Sequence, residues 1–532
     1  MADPLATLTH PPVPTSKLRN WSATYNCAPS LFFAPVSNKE VALILTEAVK
    51  RGKKVRAVGL HNSPGPVWHS DEWLVSMRNF KQARFEAGKP RHAILGAGLS
   101  LREANPILAS HGLSLPTVGS LPDVTVGACF CGPDHGSSAF HPIVTASAKA
   151  CTIVLPSGEI RRIAEGEDLY RAAGVGLGGL GIVTEVEFEC DEAFGLEFTM
   201  TRIRLEDYLD DEDSGKKLFD LARSEEYVKL WYYPCPTWSS LSTNTVLWRA
   251  KRTAMPPPQK EHWSLPYTTK LMHILHGLAY FTTTYLFPAL QPYLNWIMFW
   301  LLASSLPKTQ TLRSYEAQTM DCGYAQLVDE WCAALPAPSA SPPTTSPSKS
   351  ATSPGAAILR RLVAYLNSRE GRSIGMHAPV ELRFSLNRGE DFYLSPGAPY
   401  GRLLGREGGR DEENDLMLWI EPIIYRPLNL PTPARFYRFT HFLEDLLRSY
   451  PASRPHWTKA HFPTPERELV RMWDAERVEA FRRVRKEVDP SGVLWNAWLE
   501  ERIGRKAGTE GRGERERRRE DVMGQPWAFL RG

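Results

Sequence analysis

The sequence predicts an α+β protein of two domains. Its 532 residues suffice for two or three domains of ordinary size. Between residues 31 and 188, strand and helix patterns are mixed without the regular alternation of a doubly wound parallel sheet. Hydrophobic residues make up 42% of the chain and charged residues 23%, as in ordinary globular proteins. A chain of this length can bury a large core, so we expect no stabilising disulfide or metal.

The elements of the first half follow from periodicity and turn signals. We predict helices over 41–51, 101–111 and 168–173, and strands over 54–58, 93–95, 150–155, 160–163 and 182–190. Asn38 is the candidate N-cap of the first helix, and Gly112 is placed to end the second.

Changes in composition suggest the domain boundaries. Residues 1–19, with four prolines, are predicted to be a flexible arm. Residues 20–195 form the first domain and 196–503 the second, with 465–503 packing back on the first. The proline- and serine-rich stretch 336–356 is a predicted disordered insertion, because it cannot bury enough apolar surface to offset its ordering. Residues 504–532, dense in Arg and Glu, are predicted to be a disordered charged tail.

One segment, 271–307, has no Asp, Glu, Lys or Arg and is rich in aromatic residues and leucine. Three interpretations stay open: helices packed within the second domain, a patch that lies on a membrane surface, or a short membrane span. Two histidines and three consecutive threonines argue against the span.

Charge and cysteine usage exclude several classes of function. The net charge of +4 is too small to indicate a nucleic-acid partner. The eight cysteines are scattered, with no CxxC and no zinc-like Cys/His cluster, so we predict no metal and free thiols in a reducing compartment. The N-terminus lacks the apolar core of a signal peptide, which favours an intracellular protein.

A GxGxxG motif, formed by Gly176, Gly178 and Gly181, suggests NAD binding at first sight. The dinucleotide fingerprint needs a strand before the glycines and a helix after them. Here a helix pattern precedes and a strand pattern follows. We therefore interpret these glycines as a tight turn with close backbone approach.

Two other loops of small residues suit a cofactor that carries phosphate, because successive backbone N–H groups in such turns bind anions. Each loop alone is also typical of an ordinary turn. The first-loop candidates are Arg56, Ala57, Val58, Gly59, Leu60, His61, Asn62 and Ser63. The second-loop candidates are Gly119, Ser120, Gly127, Gly132, His135, Gly136 and Ser137.

Polar residues of the second half are candidates for catalysis. Glu381 and Arg383 alternate along a predicted strand, so their side chains share one face; a surface ion pair is the other interpretation. His456 and Lys459 occur in the sequence HWTK, where packing alone is the alternative to a catalytic role.

The chain resembles the aldonolactone oxidase family, flavoenzymes with the PCMH-type FAD-binding fold of the vanillyl-alcohol oxidase superfamily and a substrate (cap) domain. The matching stretches occur in the family's order over about residues 20–504: NWSATYNCAPSLFFAPVSNKEV, GLSLPTVGSLPDVTVGA, HGSS, DLYRAAGVGLGGLGIVTEV, PVELRF, RPHWTKAHF and DPSGVLWNAWLEERIG. This colinearity is more specific than any single motif.

The resemblance implies an FAD enzyme that oxidises the 2-hydroxyl of a sugar-derived 1,4-lactone and passes the electrons to oxygen. It places Glu381, Arg383, Lys459 and His456 at the substrate, and Gly181 and Ile182 with both loops at FAD. In the implied roles, Glu381 accepts a substrate hydrogen bond, whereas Arg383 and Lys459 favour the deprotonating hydroxyl. Fungal relatives imply a location on the mitochondrial outer membrane.

Both loops depart from the family pattern. Covalent members have GSGHS, whose histidine bonds to the flavin, whereas this chain has Gly59-Leu60-His61-Asn62-Ser63. Asn62 takes the histidine position, so we expect non-covalent FAD; a covalent link through His61 is the alternative. Two other functions stay open: a dehydrogenase that uses a carrier such as cytochrome c, and a catalytically impaired, membrane-associated paralogue.

Overall fold

The computed structural model describes residues 3–13, 15, 18–209, 215–235, 243–257, 270–320, 326–337, 353–388, 392–397, 415–427, 430–459 and 470–504. Over these ranges the chain has the predicted α+β architecture, with both sheets and helices in each domain.

The strands, in chain order, are β1 (Leu18–Arg19), β2 (Asn26–Cys27), β3 (Leu31–Phe33), β4 (Val55–Val58), β5 (Trp73–Ser76), β6 (Ala83–Arg84), β7 (His92–Gly96), β8 (Leu113–Ser114), β9 (Ala148–Val154), β10 (Ile160–Ala164), β11 (Ile182–Glu189), β12 (Asp191–Glu192), β13 (Phe194–Ile203), β14 (Tyr227–Tyr232), β15 (Thr245–Ala254), β16 (Lys308–Arg313), β17 (Gln326–Val328), β18 (Trp331–Leu335), β19 (Val380–Leu386), β20 (Leu416–Tyr425) and β21 (Ser453–Pro455).

The α-helices are α1 (Asn38–Lys50), α2 (Leu101–Ser110), α3 (Val126–Cys131), α4 (Asp168–Ala173), α5 (Lys216–Ala222), α6 (Lys270–Phe281), α7 (Gln291–Ala303), α8 (Ser314–Gln318), α9 (Pro354–Asn367), α10 (Arg369–Ile374), α11 (Ala434–Arg448), α12 (Ala475–Val488) and α13 (Ala497–Leu499).

The first domain combines two sheets around one apolar core. A parallel sheet has the order β3–β5–β4, and an antiparallel sheet has the order β10–β9–β11–β7–β6. All four residues of β5 are buried, as expected for a parallel strand that is covered on both faces. The loops that follow β4 and surround α3 leave this core on the side that faces the second domain.

The second domain is built on one large antiparallel sheet with the order β16–β13–β15–β14–β19–β20–β18–β21. Every residue of β19 is buried, including Glu381 and Arg383, because strands pair with it on both sides and other elements cover both faces. A central strand of this kind holds its side chains rigidly, which suits a functional site.

The C-terminal segment, residues 470–504, packs against the first domain. Arg56 in β4 donates a hydrogen bond to the Leu494 carbonyl at 2.7 Å, and the Trp495 indole donates one to the Gly179 carbonyl at 2.9 Å. The segment 470–504 is therefore bonded both to the start of the first loop and to the glycine turn of the GxGxxG motif.

Three expectations need correction. Ser37, not Asn38, is the N-cap of α1, because its extended backbone lets its Oγ accept from the Glu40 amide. The N-terminal arm is not loose over its described part: Leu5 and Leu8 are buried in the core. The end of the proposed disordered insertion is ordered, since α9 begins at Pro354. Residues 338–352 and 505–532 lie outside the described residues.

The uncharged segment 271–307 forms α6 and α7, joined by a turn at Pro288. Among the described residues, no helix is both long enough and apolar enough to cross a bilayer. The two helices and their connecting turn nevertheless expose a set of large apolar side chains: Ile274, Leu275, Leu278, Leu286, Phe287, Leu290, Tyr293, Ile297, Trp300 and Leu301. We call this set the apolar helix face.

Candidate active site

A cavity of about 250 Å³ lies between the two domains. The loops after β4 and around α3 form one wall, and the ends of β17, β19 and β20 with the turn after β21 form the other. The titratable residues on the second wall are Glu330, Glu381, Arg383, Glu421, His456 and Lys459. Sequence positions far apart in the chain thus meet at one enclosed place.

The first loop lines the cavity throughout, from Arg56 to Ser63. Gly59 is required by close packing, because a Cβ atom there would lie 2.4 Å from Thr125 Oγ1. The Asn62 amide donates to the Asp123 carbonyl at 2.5 Å, which ties this loop to the second one.

Arg56 has a structural role that its place in the loop does not reveal. Its guanidinium donates to the carbonyls of Val67, Leu177, Gly178 and Leu494, at 2.6–3.0 Å. Because these bonds engage the guanidinium on carbonyls of the protein, we assign Arg56 to holding the loops rather than to binding a phosphate.

His61 occupies a strained and unsatisfied position. Its φ of 58° is in the left-handed region, which normally favours glycine. The ring packs edge-on against Trp68, with centroids 5.1 Å apart. Its Nε2 atom is buried without a hydrogen-bond partner among the described residues, and burial lowers the pKa of the imidazole. A neutral imidazole with an unpaired nitrogen therefore borders the cavity.

The second loop contributes in part. Ser120, Gly127, Gly132 and His135 line the cavity. The Gly127 position is close-packed, because a Cβ atom there would lie 3.0 Å from the Ala97 Cβ.

Four expected cofactor residues are not on the cavity wall. Gly119 packs against Asp134 and Gly136 against Thr117. The Ser137 hydroxyl instead joins the two domains, since it donates to the Val228 carbonyl and accepts from the Phe384 amide. Gly181 lines the cavity, but Ile182 points into the core. The contact of these four residues with FAD stays a prediction.

The GxGxxG segment has the reversed order that its flanking patterns predict: α4 precedes it and β11 follows it. Val175, Leu177 and Gly178 have φ values of 58°, 55° and 65°, which define a tight turn. The carbonyls of Leu177 and Gly178 accept hydrogen bonds from Arg56. The motif is thus a support for the first loop.

Glu381 and Arg383 line the cavity from the same face of β19. Their exposures of 3% and 4% exclude the surface ion pair. Glu381 accepts a hydrogen bond from the Trp231 indole at 3.2 Å, and Arg383 Nε lies 3.6 Å from Glu381 Oε2. That Nε atom is buried and has no hydrogen-bond partner among the described residues, so a donor remains for a ligand.

Two further glutamates, Glu330 and Glu421, complete the cluster. Arg383 Nη2 lies 2.7 Å from Glu330 Oε1 and 2.6 Å from Glu421 Oε2. Lys459 Nζ lies 3.0 Å from Glu330 Oε2 and 2.8 Å from Glu421 Oε1. We call Glu330, Glu381, Arg383, Glu421 and Lys459 the charged cluster. Neither glutamate was predicted from the sequence. The acid inside the apolar strand LMLWIEPII, Glu421, could have indicated a functional position, because a buried charge needs a partner.

Two histidines border the charged cluster. His135 Nε2 lies 3.0 Å from Glu330 Oε1, and its ring stacks on Trp419 at 3.7 Å. His456 Nε2 is 4.0 Å from Glu330 Oε2. These three ligand-type residues lie close enough to hold a metal ion, but the adjacent Arg383 and Lys459 already neutralise Glu330 and would repel a cation.

Burial and mutual charge set the ionisation of the charged cluster. Burial opposes charge throughout, but Lys459 and Arg383 hold the pKa of Glu330 well below its usual range. Glu421, paired with the same two cations, also has a lowered pKa, and both cations have raised pKa values. Glu381 differs: burial, and then its neighbour Glu421, raise its pKa. The cluster therefore balances two cations with two carboxylates and keeps one carboxyl close to neutral.

Comparison with known families agrees with the geometry of the two walls. Residues 29–164 match the model of the FAD binding domain, and residues 186–502 match that of the D-arabinono-1,4-lactone oxidase family. The first wall thus belongs to an FAD-binding domain. Close-packed Gly59 and Gly127, with the nitrogen atoms of His61 and Arg383 that lack a partner among the described residues, suit a large polar cofactor beside the second wall.

Individual relatives agree with the family match. The chain is 28% identical over 486 residues to the L-gulonolactone oxidase of Bos taurus. The aligned region covers 91% of this chain and 97% of that protein. The chain is 26% identical over 532 residues to the D-arabinono-1,4-lactone oxidase of Eremothecium gossypii, which covers 90% and 93%.

Solved structures of similar fold include a solvent-stable cholesterol oxidase, with a TM-score of 0.73, 16% identity and coverage of 92% of this chain and 98% of that one. A cholesterol oxidase of B. sterolicum has a TM-score of 0.73, 14% identity and coverage of 94% and 99%. At this identity the likeness concerns the fold alone, which is the two-domain PCMH-type FAD fold.

Proposed function

Because the chain belongs to the D-arabinono-1,4-lactone oxidase family, we propose that it uses FAD to oxidise the 2-hydroxyl of a sugar-derived 1,4-lactone, with oxygen as the acceptor. The observation that carries this proposal is the position of Glu381 and Arg383. Both face the cavity whose other wall is the FAD-binding domain. The expected products are an ascorbate-type lactone and hydrogen peroxide.

The charged cluster provides the polar contacts that the reaction needs. Arg383 Nε is a buried donor without a hydrogen-bond partner among the described residues, and it lies 3.6 Å from Glu381 Oε2. Together they offer one donor and one acceptor to a hydroxyl group, which fixes its orientation. Bound FAD supplies the hydride acceptor and returns the electrons to oxygen.

The cations act on charge that develops at the substrate oxygen. Arg383 and Lys459 are held in place by Glu330 and Glu421, so they need no rearrangement when the hydroxyl loses its proton. His456 and His135 border the same space and limit the access of water. The chain thus binds, orients and polarises the hydroxyl.

Anaerobic reduction of the bound flavin tests this function. Addition of D-arabinono-1,4-lactone or L-gulono-1,4-lactone should bleach the flavin absorption near ~450 nm, and admission of air should restore it with release of hydrogen peroxide. The variants Glu381→Ala and Arg383→Ala should retain FAD but fail to bleach. Bleaching that is reversed by cytochrome c and not by oxygen would indicate a dehydrogenase. Protein that does not bind FAD would contradict the proposal.

We propose further that FAD is bound non-covalently. Asn62 stands at the family's histidine position, and its amide is already bonded to Asp123. The competing attachment site is His61, which lines the cavity and whose Nε2 has no hydrogen-bond partner among the described residues. Acid precipitation should leave the yellow colour in the supernatant. Colour that stays with the pellet of the wild type, and not with that of His61→Ala, would instead assign a covalent link to His61.

We propose further that the apolar helix face lies on a membrane surface. Ile274 is 67% exposed, and Phe287, in the turn that follows α6, is 57% exposed. Large apolar side chains exposed on neighbouring helices are typical of an interaction face. We propose the outer mitochondrial membrane as its location. In a flotation gradient, neutral phospholipid vesicles should carry the wild type to the top. The double variant Ile274→Ser with Phe287→Ser should stay at the bottom. A wild type that stays at the bottom of the gradient would contradict the proposal.

A further inference from the structure

Glu421 is placed to act on Glu381. The two residues are direct cross-strand partners in the pairing of β19 with β20, and both line the cavity. Direct partners in an antiparallel pair have Cβ atoms roughly 4.5–5.5 Å apart. Their side chains therefore lie on the same face of the sheet, and the charge of Glu421 raises the pKa of Glu381.

The surroundings decide which of the two carries the proton. One oxygen of Glu421 lies 2.8 Å from Lys459 Nζ, and the other lies 2.6 Å from Arg383 Nη2. The contacts of Glu381 are weaker: the neutral Trp231 indole donates to it at 3.2 Å, and Arg383 Nε lies 3.6 Å away. Two adjacent buried carboxyls ionise one after the other, because the charge of the first raises the pKa of the second. Glu421 is therefore the fixed anion, and the shared proton resides on Glu381 when the pair holds one.

We propose that Glu421 is a positioning residue that acts through Glu381, and that Glu381 is the group that accepts the proton of the substrate hydroxyl. This inference rests on the proposed function. The O–H bond breaks and its proton moves to the ionised Glu381 carboxylate, while the C–H hydride leaves for the bound flavin, so the substrate loses two electrons and two hydrogens. The anion of Glu421 strengthens Glu381 as a base, because it disfavours a second negative charge beside it.

Glu381 is surrounded by titratable groups from the neighbouring elements. These are Lys229 on β14, Arg383 on β19, Glu421 on β20, Glu330 before β18, Lys459 and His456 after β21, and His135 and Asp134 in the second loop. Burial lowers the pKa of Lys229 to about 8, so its charge changes on the alkaline side and leaves the acid side to the carboxyl pair.

The rate of anaerobic flavin reduction as a function of pH tests the inference. Activity should rise with pH as Glu381 loses its proton. Removal of the neighbouring anion in Glu421→Gln should move this rise to lower pH, by on the order of one unit, and should reduce the maximal rate because Glu381 becomes a weaker base. Glu421→Asp keeps the charge and should retain the wild-type pH dependence.

The matched control is Glu330→Gln, which removes one negative charge from the same two cations at a residue that is not the cross-strand partner of Glu381. The rise of the rate with pH, which we call the acid limb, should shift less in this variant than in Glu421→Gln. An unchanged acid limb in Glu421→Gln, or an equal shift in Glu330→Gln, would overturn the inference. A wild type that the lactones fail to reduce at any pH would instead contradict the proposed function.

A substrate-free measurement covers the case in which Glu421→Gln fails to fold. Infrared spectroscopy of the wild type should show the carbonyl stretch of a protonated carboxyl that disappears with rising pH, together with the acid limb. The band should be missing in Glu381→Gln. Absence of such a band from the wild type would overturn the inference.

Discussion

Glu330 and Lys459 form a buried ion pair, with Glu330 Oε2 3.0 Å from Lys459 Nζ. Glu330 is fully buried, and the side chain of Lys459 is 13% exposed. The pair connects the start of β18 to the turn after β21, so it positions one wall of the cavity. A buried pair contributes little net stability as a unit, but loss of one partner leaves an uncompensated charge.

Lys459→Met should therefore destabilise the protein by about 3–5 kcal/mol, since two buried carboxylates would share one guanidinium. The double variant Lys459→Met with Glu330→Gln removes both charges and should recover part of the loss. Urea unfolding of the wild type, both single variants and the double variant measures the coupling. Strictly additive effects would show that the pair does not act as a unit.

Arg383→Lys should lower the rate of flavin reduction by about 10²–10³-fold, although it keeps the charge. Arg383 uses Nη2 for Glu330 and Glu421 and Nη1 for the His135 carbonyl, at 3.2 Å, and leaves Nε for a ligand. An ammonium group cannot reproduce this planar set of donors. The FAD content should match that of the wild type. A lysine variant with nearly normal reduction would mean that charge alone is required.

The fold class and the strand that carries Glu381 and Arg383 could be predicted from sequence because their signals are local. Alternation along VELRFSL places both side chains on one face wherever the strand lies. Helix α4 and strand β11 likewise follow from their own residues, and their order correctly argued against a dinucleotide fingerprint.

Glu330 and Glu421 could not be placed in the same way. Their positions depend on which strands pair with β19 and β18 and in what register, and sheet order involves residues far apart in the chain. The same reason explains Ser137, whose hydroxyl crosses to the second domain instead of facing the cavity. Local sequence patterns can identify candidate site residues, but the pairing of the strands determines which of these residues come into contact.

Gly59→Ala should weaken FAD binding, because the added Cβ would lie 2.4 Å from Thr125 Oγ1 and 2.8 Å from its Cγ2. Real Cβ atoms do not approach so closely, so the first loop must shift. The double variant Gly59→Ala with Thr125→Ala removes both of these atoms and should restore much of the affinity. The control Gly88→Ala has open space around its Cβ and should bind FAD normally. Titration of the apoprotein with FAD measures each, and equal affinities in all four proteins would contradict the close-packed loop.

Glu187 should make the stability of the first domain depend on pH. Burial opposes its ionisation, but hydrogen bonds from Lys89, Arg162 and His92 outweigh burial and lower its pKa to about 2. Unfolded chains have a glutamate pKa of ~4.3. A carboxyl whose pKa is lowered by folding contributes to the free energy of unfolding. This contribution is fully present above the pKa of the unfolded state and is lost as the pH falls through the pKa of the folded state.

Glu187→Gln should therefore be less stable than the wild type at pH 7, and the difference should shrink as the pH falls from about 4.3 towards 2. Thermal unfolding across this range measures it. The control Glu86→Gln removes an exposed carboxylate that lies 3.6 Å from Lys89, and it should follow the wild type closely because surface pairs contribute little. A stability difference for Glu187→Gln that stays constant with pH would show that packing, rather than its charge, is what Glu187 contributes to the sheet.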